Sequence, residues 1–415
     1  MTDVRLPPAA EDLVATAQTL WPAPATAALV RGARREPGER VIREFAFLPN
    51  ARRPRLIVPI GAPAAAAAAL RRYSQALSGV ERYGRAALAV LFRTGLGERL
   101  LPDRVRISVP PAASAKPSIE DILAYVLGEP VVVSLGLGNR RANQKPILHV
   151  LTPAGETRAF VKVGDTEMAR TLVRGEAESL RQVAALPLGR IAPPQLLALT
   201  SWNGLELLVL SPLATTASRG RDEIPYDAIA ELASAGGVTD GPLTSSVHWK
   251  ATRASVAEVT DPAVAAQLGS VVDAAERRHG ATVFVYGCWH GDFTPWNLQW
   301  RGDGIALWDW ERFATGVPLG FDVLHYRQAL DGNRLGDANA ATLALRGHAA
   351  ADLARVGVPS ERASATVTLY LLELCVRFLL AAQEETGEPL RTRARWLLDH
   401  LSTDLLDQHH SKEHL

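Results

Sequence analysis

Three side chains that could bind a metal ion or accept a proton lie close together in the segment Val283–Phe313, VFVYGCWHGDFTPWNLQWRGDGIALWDWERF. An apolar stretch, predicted as a strand, leads into a loop that contains Asp292, and Asn297 follows five positions later. NLQW and IALWDW then pair as a predicted hairpin, because the Asp-Gly dipeptide between them favours a tight turn. Since this hairpin folds Asp309 back beside Asn297, we expect the three side chains to converge at one end of it.

Carboxylate and amide oxygens in this arrangement suit phosphoryl transfer. The transition state of that reaction spreads negative charge, and Asn297 and Asp309 offer hard oxygen donors for the magnesium ion that neutralises it. Asp292 would orient the attacking hydroxyl group and accept its proton. The alternative is that these are ordinary turn residues, since Asp and Asn favour turns. That alternative explains one aspartate in a turn, but it accounts poorly for three such residues at this spacing.

A second candidate group lies upstream, in the apolar strand RAFVKVG. Lysines are few in this chain and arginines many, so Lys162 in such a strand suggests a need for a compact charge. In the helix predicted for residues 167–185, Glu176 faces inward and Glu178 points to solvent. The apolar residues that share the inward face are Leu172, Leu180 and Val183. We predict that Glu176 pairs with Lys162 and fixes its ammonium group against nucleotide phosphates, with a purely structural ion pair as the alternative.

The bulk composition is that of a globular protein in a reducing compartment. The chain has 415 residues, of which 47% are hydrophobic and 21% charged, and this length predicts more than one structural unit. The formal net charge is +1 and no long basic tract exists, so we expect no nucleic-acid partner. Cys288 and Cys375 are too few for a disulfide framework, and the N-terminus lacks the features of a signal peptide. These observations predict a cytoplasmic protein.

The most apolar late segment, Val367–Ala382, is predicted as a buried core helix. Glu373 and Arg377 interrupt it, and their i,i+4 spacing on a helix would let them form an ion pair. We therefore expect no membrane span and no membrane partner.

The order of the predicted elements divides the chain into three parts. Residues 1–115 form an N-terminal cap-like α/β unit, residues 116–211 a strand-rich small lobe, and residues 212–415 a mostly helical large lobe. The segments FAFLPNARRPRLIVPIG and LHVLTPAGETRAFVKVG align so that Pro59 falls on Lys162. Either the first part is a degenerate duplicate of the small lobe, or the match is due to chance. In both cases a proline within the strand predicts an edge position.

The segments HGDFTPWN, LWDWERF and GVPLGFD together resemble the aminoglycoside phosphotransferase and choline kinase-like superfamily, whose members are relatives of protein kinases. The family pattern is HGD-x-x-x-x-N, then an apolar-Asp-Trp-Glu segment, then Gly-x-Pro and a later aspartate. The resemblance covers about residues 131–326. It implies an α+β, bilobal protein-kinase-like fold, with a small antiparallel-sheet lobe and a larger helical lobe. The added N-terminal α/β unit resembles the cap of maltokinase-like members.

The resemblance also implies roles for individual residues. Asp292 resembles the catalytic base, and Asn297 and Asp309 resemble the magnesium ligands. Lys162 resembles the lysine that binds nucleotide phosphates, and Glu176 resembles its partner in the following helix.

Further residues are implied as supports of the site. His290 and Asp322 resemble the scaffold residues that hold the catalytic loop. Gly136 and Gly138, in SLGLGNRRANQKP, would let backbone amides approach a phosphate. The basic residues that follow either contact phosphates or are solvated. They are Arg140, Arg141 and Lys145.

These features predict a kinase that transfers the γ-phosphate of ATP to a hydroxyl group of a small molecule, with Mg²⁺ as the second cofactor. The acceptor would be a sugar, an amino sugar or a natural-product intermediate. The alternative is a non-catalytic kinase-like module that senses nucleotide or acts as a scaffold, and the presence of all the chemical residues together argues against it. Four tryptophans near the loop are expected in the core, with one or two able to stack on a ring-shaped substrate. They are Trp289, Trp296, Trp308 and Trp310.

Overall fold

The chain folds into two compact units. The computed structural model describes residues 7–32, 38–71, 79–136, 146–214, 223–302, 304–383 and 388–406. The first unit comprises Met1–Ala177 and Pro194–Leu213, and the second comprises Glu178–Pro193 and Ala214–Leu415. A large antiparallel sheet dominates the first unit and helices dominate the second, so the predicted α+β fold class is confirmed.

The strands are numbered along the chain. They are β1 (Thr26–Arg31), β2 (Arg40–Leu48), β3 (Leu56–Pro59), β4 (Asp103–Val109), β5 (Val132–Gly136), β6 (Ile147–Leu151), β7 (Thr157–Gly164), β8 (Ile191–Ala192), β9 (Leu196–Trp202), β10 (Leu205–Leu210), β11 (Thr239–Pro242), β12 (Val283–Trp289), β13 (Leu298–Arg301), β14 (Gly304–Leu307) and β15 (Ala314–Pro318).

The α-helices are numbered in the same way. They are α1 (Pro8–Leu20), α2 (Pro63–Leu70), α3 (Gly79–Arg93), α4 (Gly97–Leu100), α5 (Ile119–Leu127), α6 (Glu167–Ala184), α7 (Tyr226–Ala235), α8 (Val247–Ser255), α9 (Pro262–His279), α10 (Phe321–Leu335), α11 (Ala338–Ala354), α12 (Ala363–Ala381) and α13 (Glu388–Leu406).

The sheet of the first unit has nine strands in the order β1-β4-β2-β3-β5-β6-β7-β10-β9, and neighbouring strands are antiparallel. Strand β3 joins β5 through two residue pairs, Leu56 with Gly136 and Ile57 with Leu135. The Ser134 hydroxyl also donates to the Ile57 carbonyl at 2.8 Å. Strands from residues 1–115 and strands of the predicted small lobe therefore share one sheet.

Both faces of this sheet are buried at its central strands β2, β3 and β5. Because side chains alternate along a strand, Phe45 and Phe47 of β2 enter one core, whereas Ala46 and Leu48 enter the other. The first core also includes α1 and α5, and the second includes α2 and α3. Each core contains apolar residues from both sides of the β3–β5 junction, which include Ile57 and Val133 in the first core.

The predicted edge position of Pro59 is wrong, because β3 lies between β2 and β5. The strand tolerates the proline because its pairing with β5 ends at Ile57, before Pro59 is reached. On the other side Pro59 lies opposite Phe45 of β2. A missing N–H group therefore costs no hydrogen bond to β5. Both aligned segments are hairpins followed by a helix, β2–β3 with α2 and β6–β7 with α6, and their common origin stays a prediction.

We expect residues 116–415 to fold poorly when they are produced alone. Deleting residues 1–115 would leave β5 as an unpaired edge and remove part of both cores. It would also leave Glu120, which is 7% exposed and paired with Arg43, as a buried carboxylate without its cation. Circular dichroism and gel filtration of the truncated chain measure the effect.

The matched control is the full chain with a protease site inserted between Pro111 and Lys116 and cut after purification. Because the sheet forms before the cut, the two fragments should co-elute and unfold as one species. A truncated chain that stays monomeric and unfolds at the same temperature as the full chain would support an independent N-terminal unit. The three-part division stays a prediction until that comparison is made.

The second unit contains helices α7 to α13 and two small sheets, β11-β12-β15 and β13-β14-β8. Within the described residues, the stretch Ser360–Ala381 is the one candidate for a membrane span, and 72% of its window is buried inside the protein. Glu373 and Arg377 form an ion pair there at 3.4 Å. The stretch thus has the burial of a core helix, as the sequence predicts.

Candidate active site

The loop after β12 is held by the carboxylate of Asp322, which lies in the first turn of α10. The backbone N–H of His290 donates to Asp322 Oδ2 at 2.7 Å, and the N–H of Gly291 donates to Oδ1 at 3.1 Å. Gly291 has φ +82°, and a Cβ there would lie 2.5 Å from the carbonyl oxygen of Arg312. Only glycine fits this turn without strain. The structure thus brings both predicted scaffold residues together.

The Asp322 carboxylate is buried, and its pKa is shifted as a result. Asp322 is 4% exposed, and burial raises its pKa to about 7, although the two N–H donors and Arg377 act in the opposite direction. Arg377 also donates to the Gly291 carbonyl at 2.7 Å and lies over the Trp289 ring, 5.2 Å from its centroid. The loop backbone is therefore fixed through both its N–H and its C=O groups.

Asp292 and Asn297 are in direct contact. The Asn297 Nδ2 group donates to the Asp292 backbone carbonyl at 3.0 Å and to Asp292 Oδ2 at 2.8 Å. The other carboxylate oxygen, Oδ1, lies 3.1 Å from His325 Nε2. Burial alone would raise the pKa of Asp292, but the hydrogen bond from His325 and the positive charge of Arg312 hold that pKa below its ordinary range. Asp292 is therefore ionised at neutral pH.

The hairpin that follows places Asp309 near this pair. Strands β13 and β14 pair antiparallel, Leu298 with Leu307, as the sequence predicts. Immediately beyond that pair, the Trp308 N–H donates to the Asn297 carbonyl at 3.0 Å. Asp309 follows in the left-handed region, with φ +73°. Such a conformation in a residue other than glycine is costly and is often found where function requires it.

His290 connects the loop to the hairpin. Its Nε2 lies 3.2 Å from the Trp308 carbonyl, and its Nδ1 accepts the Asp292 N–H at 3.2 Å. A carbonyl can only accept, so the ring carries its proton on Nε2 and is neutral. Burial lowers the pKa of His290 to about 4, against the opposing charges of Asp292 and Asp309, which agrees with a neutral ring. Asp292 and Asp309 thus both lie close enough to His290 for their charges to act on its ring, and Asn297 contacts Asp292.

Lys162 and Glu176 form an ion pair inside the first unit. The Lys162 Nζ lies 2.7 Å from Oε1 and 2.6 Å from Oε2 of Glu176. The Glu176 side chain is 0% exposed and that of Lys162 is 12% exposed. Glu178 is exposed, as predicted from its position on the helix. The ammonium group is thus held at a fixed place on β7, between β6 and β10.

The glycine-rich segment is described only in part. Gly136 ends β5, where it pairs with Ile147 of β6 and Leu56 of β3. Gly138 lies outside the described residues, as do the basic residues of the same loop, Arg140, Arg141 and Lys145. The predicted contact of this loop with phosphates stays a prediction.

Two residues of the site were missed by sequence reasoning. His325 contacts Asp292, and Arg377, which the sequence pairs with Glu373, also binds the Gly291 carbonyl. His325 lies three positions after Asp322 on α10, so both project from one side of a helix. This three-residue spacing is the feature of the sequence that points to His325. No comparable signal points to Arg377, which is far along the chain in α12.

The tryptophans near the loop divide into core and surface. Trp289 and Trp310 are buried and Trp308 is half-buried, whereas Trp296 is 37% exposed. Trp296 lies between Pro295 and Asn297, in the loop itself. It is the member of this group whose ring is open to a ligand.

Residues 146–325 match the sequence model of the phosphotransferase enzyme family. This segment contains the lysine, the glutamate and the loop and hairpin residues described above. The match confirms the resemblance that the motifs predict, and with it the enzyme class, a small-molecule kinase. A search of curated proteins found no significant match.

Several solved structures are similar to the chain at low identity. A protein assigned as fructosamine-3-kinase from Haemophilus somnus 129PT has 14% identity, with 68% of this chain and 96% of that chain covered, and a TM-score of 0.44. A thermostable mutant of aminoglycoside phosphotransferase APH(4)-Ia has 15% identity, coverage of 68% and 98%, and a TM-score of 0.45. Aminoglycoside phosphotransferase APH(2'')-Ib, bound to ADP, has 12% identity, coverage of 64% and 90%, and a TM-score of 0.36.

Proposed function

We propose that this chain transfers the γ-phosphate of ATP to a hydroxyl group of a small molecule. The observation that carries the proposal is the Asp292 carboxylate, which is ionised, fixed by Asn297 and presented by a loop tied to Asp322. An ionised carboxylate in a rigid loop is what an enzyme needs to orient a hydroxyl group and accept its proton. The family match of the segment that contains this loop supports the same reaction class.

Asn297 and Asp309 fit a magnesium ion. The Asn297 amide turns its N–H₂ group to two acceptors of Asp292, so its Oδ1 is the atom left for a cation. Together with the Asp309 carboxylate this is an all-oxygen donor set, which suits Mg²⁺ rather than a softer metal. When bound, the ion would neutralise charge that develops on the phosphates.

The proposed reaction is a direct transfer of the phosphate group from nucleotide to acceptor. The acceptor oxygen forms a bond to the γ-phosphorus while the bond from that phosphorus to the β,γ-bridging oxygen breaks, which leaves ADP. The proton of the acceptor hydroxyl passes to Asp292. In the first unit we assign Lys162 to the nucleotide phosphates, with Glu176 holding its ammonium group, and the strand Leu205–Leu210 to adenine through its backbone.

For the acceptor we propose a neutral or amino sugar, or a natural-product intermediate with a ring. The support is Trp296, whose exposed ring adjoins Asn297 in the loop and offers a flat apolar face. Sugar rings and aromatic side chains stack through such faces. The buried thiols Cys288 and Cys375 support a reducing, cytoplasmic location.

Mass spectrometry of products, with ATP or GTP and a panel of sugars, amino sugars and hydroxylated ring compounds, tests the proposal. We expect a mass increase of one phosphate on at least one acceptor, dependent on Mg²⁺. Tight binding of Mg-ATP by calorimetry with no phosphate transferred to any acceptor would favour the nucleotide-sensing module instead. Transfer from GTP in preference to ATP would correct the nucleotide but keep the reaction.

A further inference from the structure

A line of polar side chains runs from the half-buried Asp292 carboxylate into the helical core of the second unit. Asp292 Oδ1 lies 3.1 Å from His325 Nε2, and His325 Nδ1 lies 2.9 Å from the Tyr370 hydroxyl. The same hydroxyl lies 2.8 Å from Gln328 Oε1, and Gln328 Nε2 donates to Thr342 at 2.6 Å. The proposed reaction assigns no role to the other four residues of this line, which are His325, Tyr370, Gln328 and Thr342.

The direction of the first hydrogen bond is fixed by chemistry. A carboxylate oxygen accepts hydrogen bonds and does not donate them, so His325 must carry a proton on Nε2 and donate it to Asp292 Oδ1. Asp292 then has a donor on each carboxylate oxygen, His325 on Oδ1 and Asn297 on Oδ2. Two donors on opposite oxygens prevent rotation of the carboxylate. Loss of one donor would let the group turn away from the acceptor hydroxyl.

The Tyr370 hydroxyl can serve the histidine in either protonation state, with a different partner in each. When the His325 ring is neutral, the hydroxyl donates to Nδ1 and gives up its hydrogen bond to Gln328 Oε1. When the ring is charged, Nδ1–H donates to the hydroxyl oxygen, and the hydroxyl turns its proton to Gln328 Oε1. Tyr370 is 0% exposed, so water cannot take the place of either partner. In both states Nε2–H still donates to Asp292.

Several charged or titratable groups surround the ring. They are Asp292 and His290 in the loop, Arg312 in the turn before β15, and Tyr370 and Arg377 in α12. Burial lowers the pKa of His325 below its ordinary 6.5, the hydrogen bond and charge of Asp292 oppose this, and the two arginines add to it. The ring is therefore neutral at neutral pH, and it gains a positive charge as the pH falls below that range.

We propose that His325 is a positioning residue for the phosphate transfer, which holds Asp292 through Nε2–H and weakens it as a base when the ring takes up a second proton. The inference depends on the proposed function, because it assigns Asp292 the role of proton acceptor. A positive ring beside the carboxylate stabilises its ionised form, so the carboxylate draws the hydroxyl proton less strongly. The kcat value should therefore fall on the acid side of neutrality.

Three variants test the inference. We expect His325→Ala to lower kcat by about 10- to 100-fold, the loss for a hydrogen bond to a charged group, with KM for ATP little changed. His325→Gln can still donate an N–H group but cannot titrate, so it should recover much of kcat and extend activity to lower pH. Tyr370→Phe removes a single oxygen and should lower kcat less than the alanine variant does. His348→Gln, at an exposed histidine of α11, is the matched control.

The outcomes separate this inference from the function on which it depends. A wild-type enzyme that transfers phosphate, with His325→Ala equally active, contradicts the positioning role alone. If kcat of His325→Gln falls at low pH as it does in the wild type, the proposed effect of the second proton on the His325 ring is contradicted. If His325→Ala does not fold, ring ¹⁵N NMR of the wild type replaces it, and an Nε2 without a proton at pH 8 would overturn the proposal. Absence of transfer by the wild type overturns the proposed function and this inference together.

Discussion

Asp292→Asn is expected to lower kcat by about 10²- to 10⁴-fold, the range for a group that accepts a proton in the transition state. The amide has the shape of the carboxylate but cannot take up the hydroxyl proton. It also meets the two donors, Asn297 and His325, with a single acceptor oxygen, so one of them must lose its partner. Binding of Mg-ATP should persist, because its phosphates are assigned to other residues. Rates and calorimetric titrations of both proteins measure the two effects separately.

The matched control is Asp240→Asn, which neutralises an exposed aspartate on β11, the strand beside β12. It changes the same chemical group near the same strand, so its kcat should stay close to the wild-type value. An Asp292→Asn enzyme that keeps a kcat within a few-fold of wild type, with product confirmed by mass, would show that another group accepts the proton.

The parts of the site that the sequence predicts are those built from neighbouring residues. A tight hairpin fixes which residues face each other, so the approach of Asp309 to Asn297 follows from the spacing and the turn between the strands. The inward face of α6 likewise follows from helical periodicity, which separates Glu176 from Glu178. In both cases the geometry depends on local backbone rules and needs no knowledge of how elements pack.

The parts that the sequence does not predict depend on contacts between distant elements. Arg377 binds the Gly291 carbonyl from 86 positions away, and Tyr370 reaches His325 from 45 positions away. The Tyr370 contact exists because α10 and α12 pack together, and the Arg377 contact exists because α12 also reaches the loop after β12. Packing of this kind has no signature in the spacing of a few residues. The same reason explains Pro59, since the pairing of β3 with β5 joins segments that are far apart in sequence.

Lys162→Met is expected to lower kcat/KM for ATP by about 10²- to 10³-fold, as for loss of an electrostatic group that stabilises developing charge. The same change should lower the free energy of unfolding by about 3 kcal/mol, because it leaves a buried carboxylate without its cation. Glu176 is 0% exposed, so water cannot take the place of the lysine. The activity loss of this variant alone would therefore mix two causes, and thermal unfolding must be measured with the kinetics.

The double variant Lys162→Met, Glu176→Gln separates the two causes. It removes both charges, so most of the lost stability should return, because an uncharged buried pair carries no uncompensated charge. Activity should stay low, because the ammonium group is still absent. Arg158→Met with Glu129→Gln, at a pair whose side chains are 43% and 34% exposed, is the control and should change both quantities little. A double variant that regained activity along with stability would leave Lys162 and Glu176 as a structural ion pair, the alternative that the sequence left open.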